Sequence, residues 1–133
     1  MSPKKLYIIR GVSGSGKTTL AESIAKDFWC HHHFEADMFF TKDDGSYVYE
    51  PDRIKDAHQW CQLSVEQAMR SITGHGTVIV SNTFTRKWEY DHYLMLANRY
   101  GFEVEIMVCR GEYQNTHGVP DHIVQAMRDR FEE

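Results

Sequence analysis

Apolar residues in this chain gather in short unbroken runs and in longer stretches where they recur every three or four positions, and the two patterns alternate. The short runs, rich in β-branched and aromatic residues, predict buried strands; the longer recurrence predicts helices with one face turned to a core. Leu6–Ile9 is the first run. Lys17 to Trp29 follows as a helix with Leu20, Ile24 and Phe28 on one stripe. Phe34–Asp37 reads as a brief second strand, and residues 38–50 as a connection of aromatic and turn residues. Pro51 opens the longest helix, whose stripe is Ile54, Ala57, Cys61, Val65, Ala68, Met69 and Ile72, and Gly74 stops it. Thr77–Ser81 is a third strand. Thr85 is placed to cap a helix that runs to Tyr100 and ends at Gly101. Phe102–Cys109 alternates as a fourth strand, residues 111–119 form a polar loop, and Pro120 starts a last helix with Ile123, Val124, Met127 and Phe131 on its apolar face.

Strands alternating with helices predict right-handed crossovers and a mostly parallel sheet of about four to five strands, covered on both faces: an α/β three-layer sandwich. The 133 residues suit a single domain spanning 1–133, with no internal repeat or linker. In such sheets ligands sit beyond the carboxyl ends of the strands. That rule singles out the segment after the first strand, Asp37 after the second, Ser81-Asn82-Thr83 after the third and Arg110 after the fourth.

The segment after the first strand is Gly11-Val12-Ser13-Gly14-Ser15-Gly16-Lys17-Thr18, which fills every position of the phosphate-loop pattern G-x-x-x-x-G-K-[ST]. Its glycines let the backbone turn tightly and aim successive amides at one centre, and the helix that follows adds the positive end of its dipole. A nucleoside triphosphate is the expected ligand, with Gly11, Ser13, Gly14, Ser15, Gly16, Lys17, Thr18 and Thr19 as its binding residues. Lys17 would reach the β- and γ-phosphates, and the Thr18 hydroxyl would ligate the magnesium between them. A ligand-free glycine turn is the alternative, but strand, loop, Lys-Thr pair and helix stand in the order of a P-loop NTPase fold. Asp37 can then act as the general base that takes the proton of an attacking hydroxyl, or it can simply cap a turn. No recognisable guanine-reading motif follows the third or fourth strand, which favours ATP.

Composition narrows the rest. With 41% hydrophobic and 26% charged residues, the chain has the make-up of a soluble globular protein. No apolar run approaches the roughly 20 residues that span a bilayer, and Met1-Ser2-Pro3-Lys4-Lys5 leads into the first strand without a signal-peptide core, so a cytoplasmic location is expected. A net charge of −4 does not announce a nucleic-acid binder, yet an enzyme that handles only a strand end needs few cations. The three cysteines, Cys30, Cys61 and Cys109, are expected as reduced thiols. Cys30-His31-His32-His33 carries metal-ligating residue types, but adjacent residues of an extended chain face opposite ways and converge poorly on one ion.

The phosphate loop, Ala36-Asp37, Ala57-His58-x-x-Cys61, Val78-Ile79-Val80-Ser81-Asn82-Thr83, Asn115-x-His117-Gly118-Val119-Pro120 and Met127-x-x-Arg130-Phe131-Glu132, in this order, resemble the polynucleotide-kinase-type P-loop kinases, in their small stand-alone form. The resemblance covers almost the whole chain. It implies transfer of the γ-phosphate of ATP, with magnesium, to a hydroxyl, in the best-known members the 5′-OH of DNA or RNA. By position, Lys17 and Thr18 hold ATP and magnesium and Asp37 activates the acceptor; residues 110–119 match the lid, where the family places arginines on the transferring phosphate. Arg110 and Arg128 are the expected catalytic cations, with Arg130 beside them, while the lid itself offers Gln114, Asn115 and His117. The family pattern Asp-x-x-Arg is Asp37-Met38-Phe39-Phe40 here, so the cation that would grip substrate phosphate is an aromatic ring. Phe39 and Phe40 then read either as core or as a stacking platform for a base. Ser81-Asn82 stands where many P-loop kinases carry an acidic residue for magnesium. The functional readings are a polynucleotide 5′-hydroxyl kinase, a small-molecule kinase, and a nucleotide-binding regulatory protein. The oligomeric state is not legible in the sequence.

Overall fold

Lys4–Arg10 forms β1, the strand on which the sheet is built: buried from Leu6 to Arg10, it is paired along its whole length on one side and from Lys5 onward on the other. The structure, a computed structural model, describes residues 4–28, 30, 32–111 and 119–133. On one side β1 pairs in parallel with β3 (Gly76–Asn82), and beyond that lies the short β2 (His33–Phe34). On the other side it pairs in parallel with β4 (Glu103–Val108), giving a four-stranded sheet of order β2-β3-β1-β4. Among the described residues the helices are α1 (Lys17–Asp27), α2 (Ile54–Ser71), α3 (Asp91–Tyr100) and α4 (Asp121–Arg130).

Side chains of successive strand residues point to opposite faces, and the sequence uses both. Leu6, Ile8, Val78 and Val80 pack under α2 and α3 with Cys61, Val65, Met69, Tyr93 and Leu96. Tyr7, Ile9 and Ile79 face the other way, onto Ala21 and Ile24 of α1. Each fully buried aliphatic side chain contributes about 1.5–3 kcal/mol, so the central strands, buried on both faces, anchor the domain. No helix among the described residues is long and apolar enough to cross a membrane.

Several expected boundaries move. The second strand ends at Phe34, and Ala36–Phe40 is a 3-10 turn, so Asp37 lies in a turn instead of at a strand tip. The cause is a side chain: Asn82 Oδ1 accepts the Ala36 N–H at 2.8 Å and takes the amide out of the sheet ladder. Thr85 does not cap through a backbone amide. Its hydroxyl donates to Glu89 Oε1 at 2.8 Å, the Arg86 N–H donates to the same oxygen at 2.9 Å, and a 3-10 turn over Lys87–Tyr90 leads into α3. Pro51–Arg53 is likewise a 3-10 turn ahead of α2. Gly101 ends α3 as expected, with φ +75. Phe131 falls just past α4 and packs on Arg10 instead of on the helix face.

Arg10 is the exception to an apolar strand. It is 2% exposed. Its Nε donates to the Phe84 carbonyl at 3.0 Å and its Nη2 to the Glu132 carbonyl at 2.5 Å, while the rings of Tyr90 and Phe131 lie 5.2 and 4.5 Å from the guanidinium carbon. A planar cation with several donors fills such a place where lysine could not. Phe84 itself adopts φ +46, the only positive φ at a non-glycine among the described residues, at a cost of about 1 kcal/mol or more. Replacing Arg10 by Met keeps length but strips both carbonyls of their donor. The expected loss is about 2–3 kcal/mol in urea unfolding; a variant as stable as the parent would show that other donors satisfy those carbonyls.

Candidate active site

β1 ends at Arg10, and the phosphate loop begins at once. The Gly11 N–H donates to the Thr83 carbonyl at 3.2 Å, Ser15 N–H to Val12 O at 3.1 Å, and Gly111 N–H to Ser15 O at 3.1 Å. The loop is thus stapled to the segments that follow both neighbouring strands. Gly14 and Gly16 sit at φ +81 and +97, where a side chain would be strained. Gly11 is needed for another reason: a Cβ there would collide with Ser15 Oγ and lie 2.9 Å from the Cys109 carbonyl oxygen. Ser15 is 3% exposed, and its hydroxyl, packed against Gly11, has no hydrogen-bond partner among the described residues. Gly11 and Ser15 build the loop; Ser13, Gly14, Gly16, Lys17, Thr18 and Thr19 line the cavity it opens on.

That cavity has a volume of about 830 Å³. Lys17 is half-buried in it, and its Nζ donates to the Val12 carbonyl at 3.2 Å. Burial pushes its ammonium below the usual lysine range, while the negative charges of Glu35 and Asp37 pull the other way. Asp37 also lines the cavity, reached from the far side of the loop through the turn after β2. The Tyr47 hydroxyl donates to its Oδ1 at 3.2 Å, and burial beside that carboxylate raises the phenol's pKa. Asn82 and Thr83 reach the cavity from the end of β3.

Sequence reasoning missed Glu35. Its Oε1 accepts from Thr18 Oγ1 at 2.9 Å and from Ser81 Oγ at 2.7 Å, with His33 Nε2 at 3.3 Å. His33 Nε2 also lies 3.0 Å from Ser81 Oγ. Burial alone would raise the pKa of this carboxyl, but His33, Ser81 and Thr18 outweigh it and hold the pKa at about 2. The group is therefore a carboxylate throughout the neutral range. Because its pKa is depressed by folding, the contact stabilises the native state fully above the ordinary carboxyl range, and this is lost only as pH falls toward 2. The one signal in the sequence was its position, two residues before Asp37.

Other expected residues divide. Arg110 is exposed and held by a paired contact with the Glu133 carboxylate; it does not line the cavity. Arg128 is exposed on α4 and also stands outside the wall, whereas Arg130 lines it, with Nε donating to Thr85 Oγ1 at 3.3 Å. Phe40 is 2% exposed and belongs to the core, its ring edge-on to Tyr47 and Tyr49, so the platform reading fails for it. Phe39 packs on Phe40 and Trp60, under the Arg53 guanidinium. Gln114, Asn115 and His117 lie outside the described residues, as does His31. The Cys30 thiol donates to the Thr77 carbonyl at 3.0 Å, and no group of three or more His, Cys, Asp or Glu among the described residues can hold a metal by itself. The cysteines that the structure describes are free thiols.

Residues 6–114 match the family model described as the AAA domain. The chain belongs to that family. A relative, an uncharacterized protein of Pasteurella multocida, is 29% identical over 132 residues, covering 92% of this chain and 73% of its own length. Among solved structures, a chain of the Pnkp1/Rnl/Hen1 complex superposes with a TM-score of 0.65 at 19% identity, over 91% of this chain and 44% of that one. The APS kinase CysC of Mycobacterium tuberculosis superposes with a TM-score of 0.59 at 14% identity, over the whole of both chains. The AAA domain here has the mostly parallel sheet, helices on both faces and phosphate loop of a kinase-like P-loop fold.

Within this AAA domain Asn82 is the link between the phosphate side and the Asp37 turn. Asn82→Ala leaves the buried Ala36 amide without its acceptor, and the expected cost is about 1–3 kcal/mol in thermal or urea unfolding. Unchanged stability would show that the turn is held by other contacts.

Proposed function

We propose that this chain transfers the γ-phosphate of ATP to a hydroxyl, and that the acceptor is the 5′-hydroxyl of a polynucleotide. The observation that carries the reading is that Lys17, Thr18 and Asp37 line one cavity whose further wall includes Tyr47 and Tyr49. The phosphate loop supplies amides and the Lys17 ammonium for the β- and γ-phosphates. Magnesium prefers oxygen donors and binds through few protein groups plus substrate phosphates. The hydroxyl of Thr18 and the Glu35 carboxylate beside it are donors of that kind, so the residues present fit the ion.

Asp37 takes the acceptor's proton. The acceptor oxygen then bonds to the γ-phosphorus as the bond to the β–γ bridging oxygen breaks, and ADP departs with that oxygen. Tyr47 and Tyr49 are 37% and 48% exposed and offer ring faces to a terminal base, a contact of about 1–3 kcal/mol. Arg130 is the cation of α4 best placed to neutralise transferring charge. For Arg128 the same role would require reaching past its own helix face, and for Arg110 it would require leaving Glu133.

A metabolite or nucleoside kinase is the second reading. It is favoured by Phe40 in place of the phosphate-gripping arginine, and by a cavity wall whose Lys and Arg residues, among those described, are Lys17 and Arg130. The fold likeness to an APS kinase is compatible with either acceptor.

Labelled ATP with magnesium, offered to 5′-OH DNA, 5′-OH RNA, nucleosides and sugars, separates the readings. Label on an oligonucleotide supports the first and label on a metabolite the second; tight ATP binding with no labelled acceptor sinks the kinase reading. Lys17→Ala is expected to abolish turnover and weaken ATP binding. Asp37→Asn is expected to leave ATP affinity within about twofold and to lower kcat by about 10²–10⁴; wild-type turnover in that variant would remove Asp37 as the base. Tyr47→Ala is expected to raise the acceptor KM about tenfold or more, in line with one lost stacking contact.

A further inference from the structure

The end of β3, where an acidic residue was expected for the metal, carries Ser81, which is 1% exposed. Yet the site does not lack a carboxylate. Glu35 comes from the residue after β2 and reaches across to the same place, with Ser81 Oγ donating to it at 2.7 Å and Thr18 Oγ1 at 2.9 Å. We infer that Glu35 is the residue that positions the metal–nucleotide complex in this chain: it accepts the hydrogen bond of the Thr18 hydroxyl, leaves that oxygen's lone pairs free for a metal, and stands in for the acid absent from β3. The inference rests on the nucleotide-binding part of the proposed function, and on no choice of acceptor.

Three features of the geometry support it. A threonine hydroxyl has one proton and two lone pairs; with the proton directed at Glu35, the oxygen is oriented for a cation on its other side. Second, a bond from a ligand to a neighbouring carboxylate is how proteins fix ligand orientation and raise ligand basicity. Third, the Glu35 side chain is only 12% exposed and is held by Ser81 and His33 as well as by Thr18, so it is fixed before any ligand arrives. Its charge also lies near Lys17, where it opposes a bare triphosphate and favours one whose charge a cation has reduced. The Thr18 hydroxyl and the Glu35 carboxylate offer oxygen donors, which suits magnesium or manganese better than a softer ion.

The test measures how much the cation strengthens nucleotide binding, without turnover. Affinity for the non-hydrolysable analogue AMPPNP is measured in EDTA and in saturating Mg²⁺, and again with Mn²⁺; the ratio of the two dissociation constants is the readout. In Glu35→Gln that ratio is expected to shrink by about 10–100-fold. Metal-free affinity should hold or improve. Adding Ser81→Asp to Glu35→Gln, which moves the charge to the end of β3, is expected to restore the ratio to within about threefold of the parent. Glu35→Asp keeps the charge and is the variant to read if the amide does not fold; one methylene less reach should cut the ratio at least about threefold. An unchanged ratio in whichever variant folds, or a parent whose affinity Mg²⁺ does not raise, overturns the inference. Equal loss of affinity with and without metal also overturns it, since that marks a structural role. A parent that binds no AMPPNP at all would instead defeat the nucleotide reading on which this stands.

Discussion

Everything at the site depends on the register of β1 against its two neighbours. Arg10 is level with Asn82 on one side and Val108 on the other, so the three chains leave the sheet at the same height. Hydrogen bonds continue past the end of the ladder, from Gly11 to Thr83 and from Cys109 to Arg10. A shift of one residue in either pairing would exchange the side chains that a strand turns to α2 and α3 with those it turns to α1, and would carry Gly11 out of step with Thr83 and Gly111. The packing of Leu6, Ile8, Val78 and Val80 therefore does two jobs: it holds the core and sets the height at which Gly11, Thr83 and Gly111 meet.

From that edge the site is assembled out of side chains that reach between connections. Asn82, at the end of β3, fixes the turn that carries Asp37; Glu35, after β2, joins Thr18 of α1 to Ser81 of β3; Arg10 ties the β3–α3 connection to the chain after α4. None of these is a contact between neighbours in sequence. Each spans two elements that the parallel crossovers have already brought side by side, so the fold comes first and the polar links refine it.

This explains what could be read from the sequence and what could not. The phosphate loop was legible because its chemistry is local: glycines at fixed offsets, a lysine, a threonine and a helix following at once. The alternation of strands and helices was legible because burial imposes a period on apolar residues. Asp37 lines the cavity but lies in a turn and not at a strand tip, since the preceding amide, that of Ala36, is taken by Asn82, 46 positions on from Ala36. Glu35 was invisible for the same reason: a glutamate before an alanine looks like a solvated residue until Ser81 and His33 are seen to surround it. On the last helix, Arg128 and Arg130 differ by two residues, about 200° around the axis, so only one of them can face the cavity. Phe40 was ambiguous from sequence because an adjacent aromatic pair fits a core as well as a surface; here Tyr47 and Tyr49 cover it and present the exposed rings.

Lys17 folds back onto the carbonyl of Val12, a residue of its own loop. A free lysine side chain carries about 2 kcal/mol of rotamer entropy, and here much of that disorder is lost when the chain folds instead of when a ligand arrives. The ammonium is already partly stripped of water. In the proposed reaction an incoming phosphate then replaces a protein carbonyl as the partner of an ammonium whose side chain is already ordered.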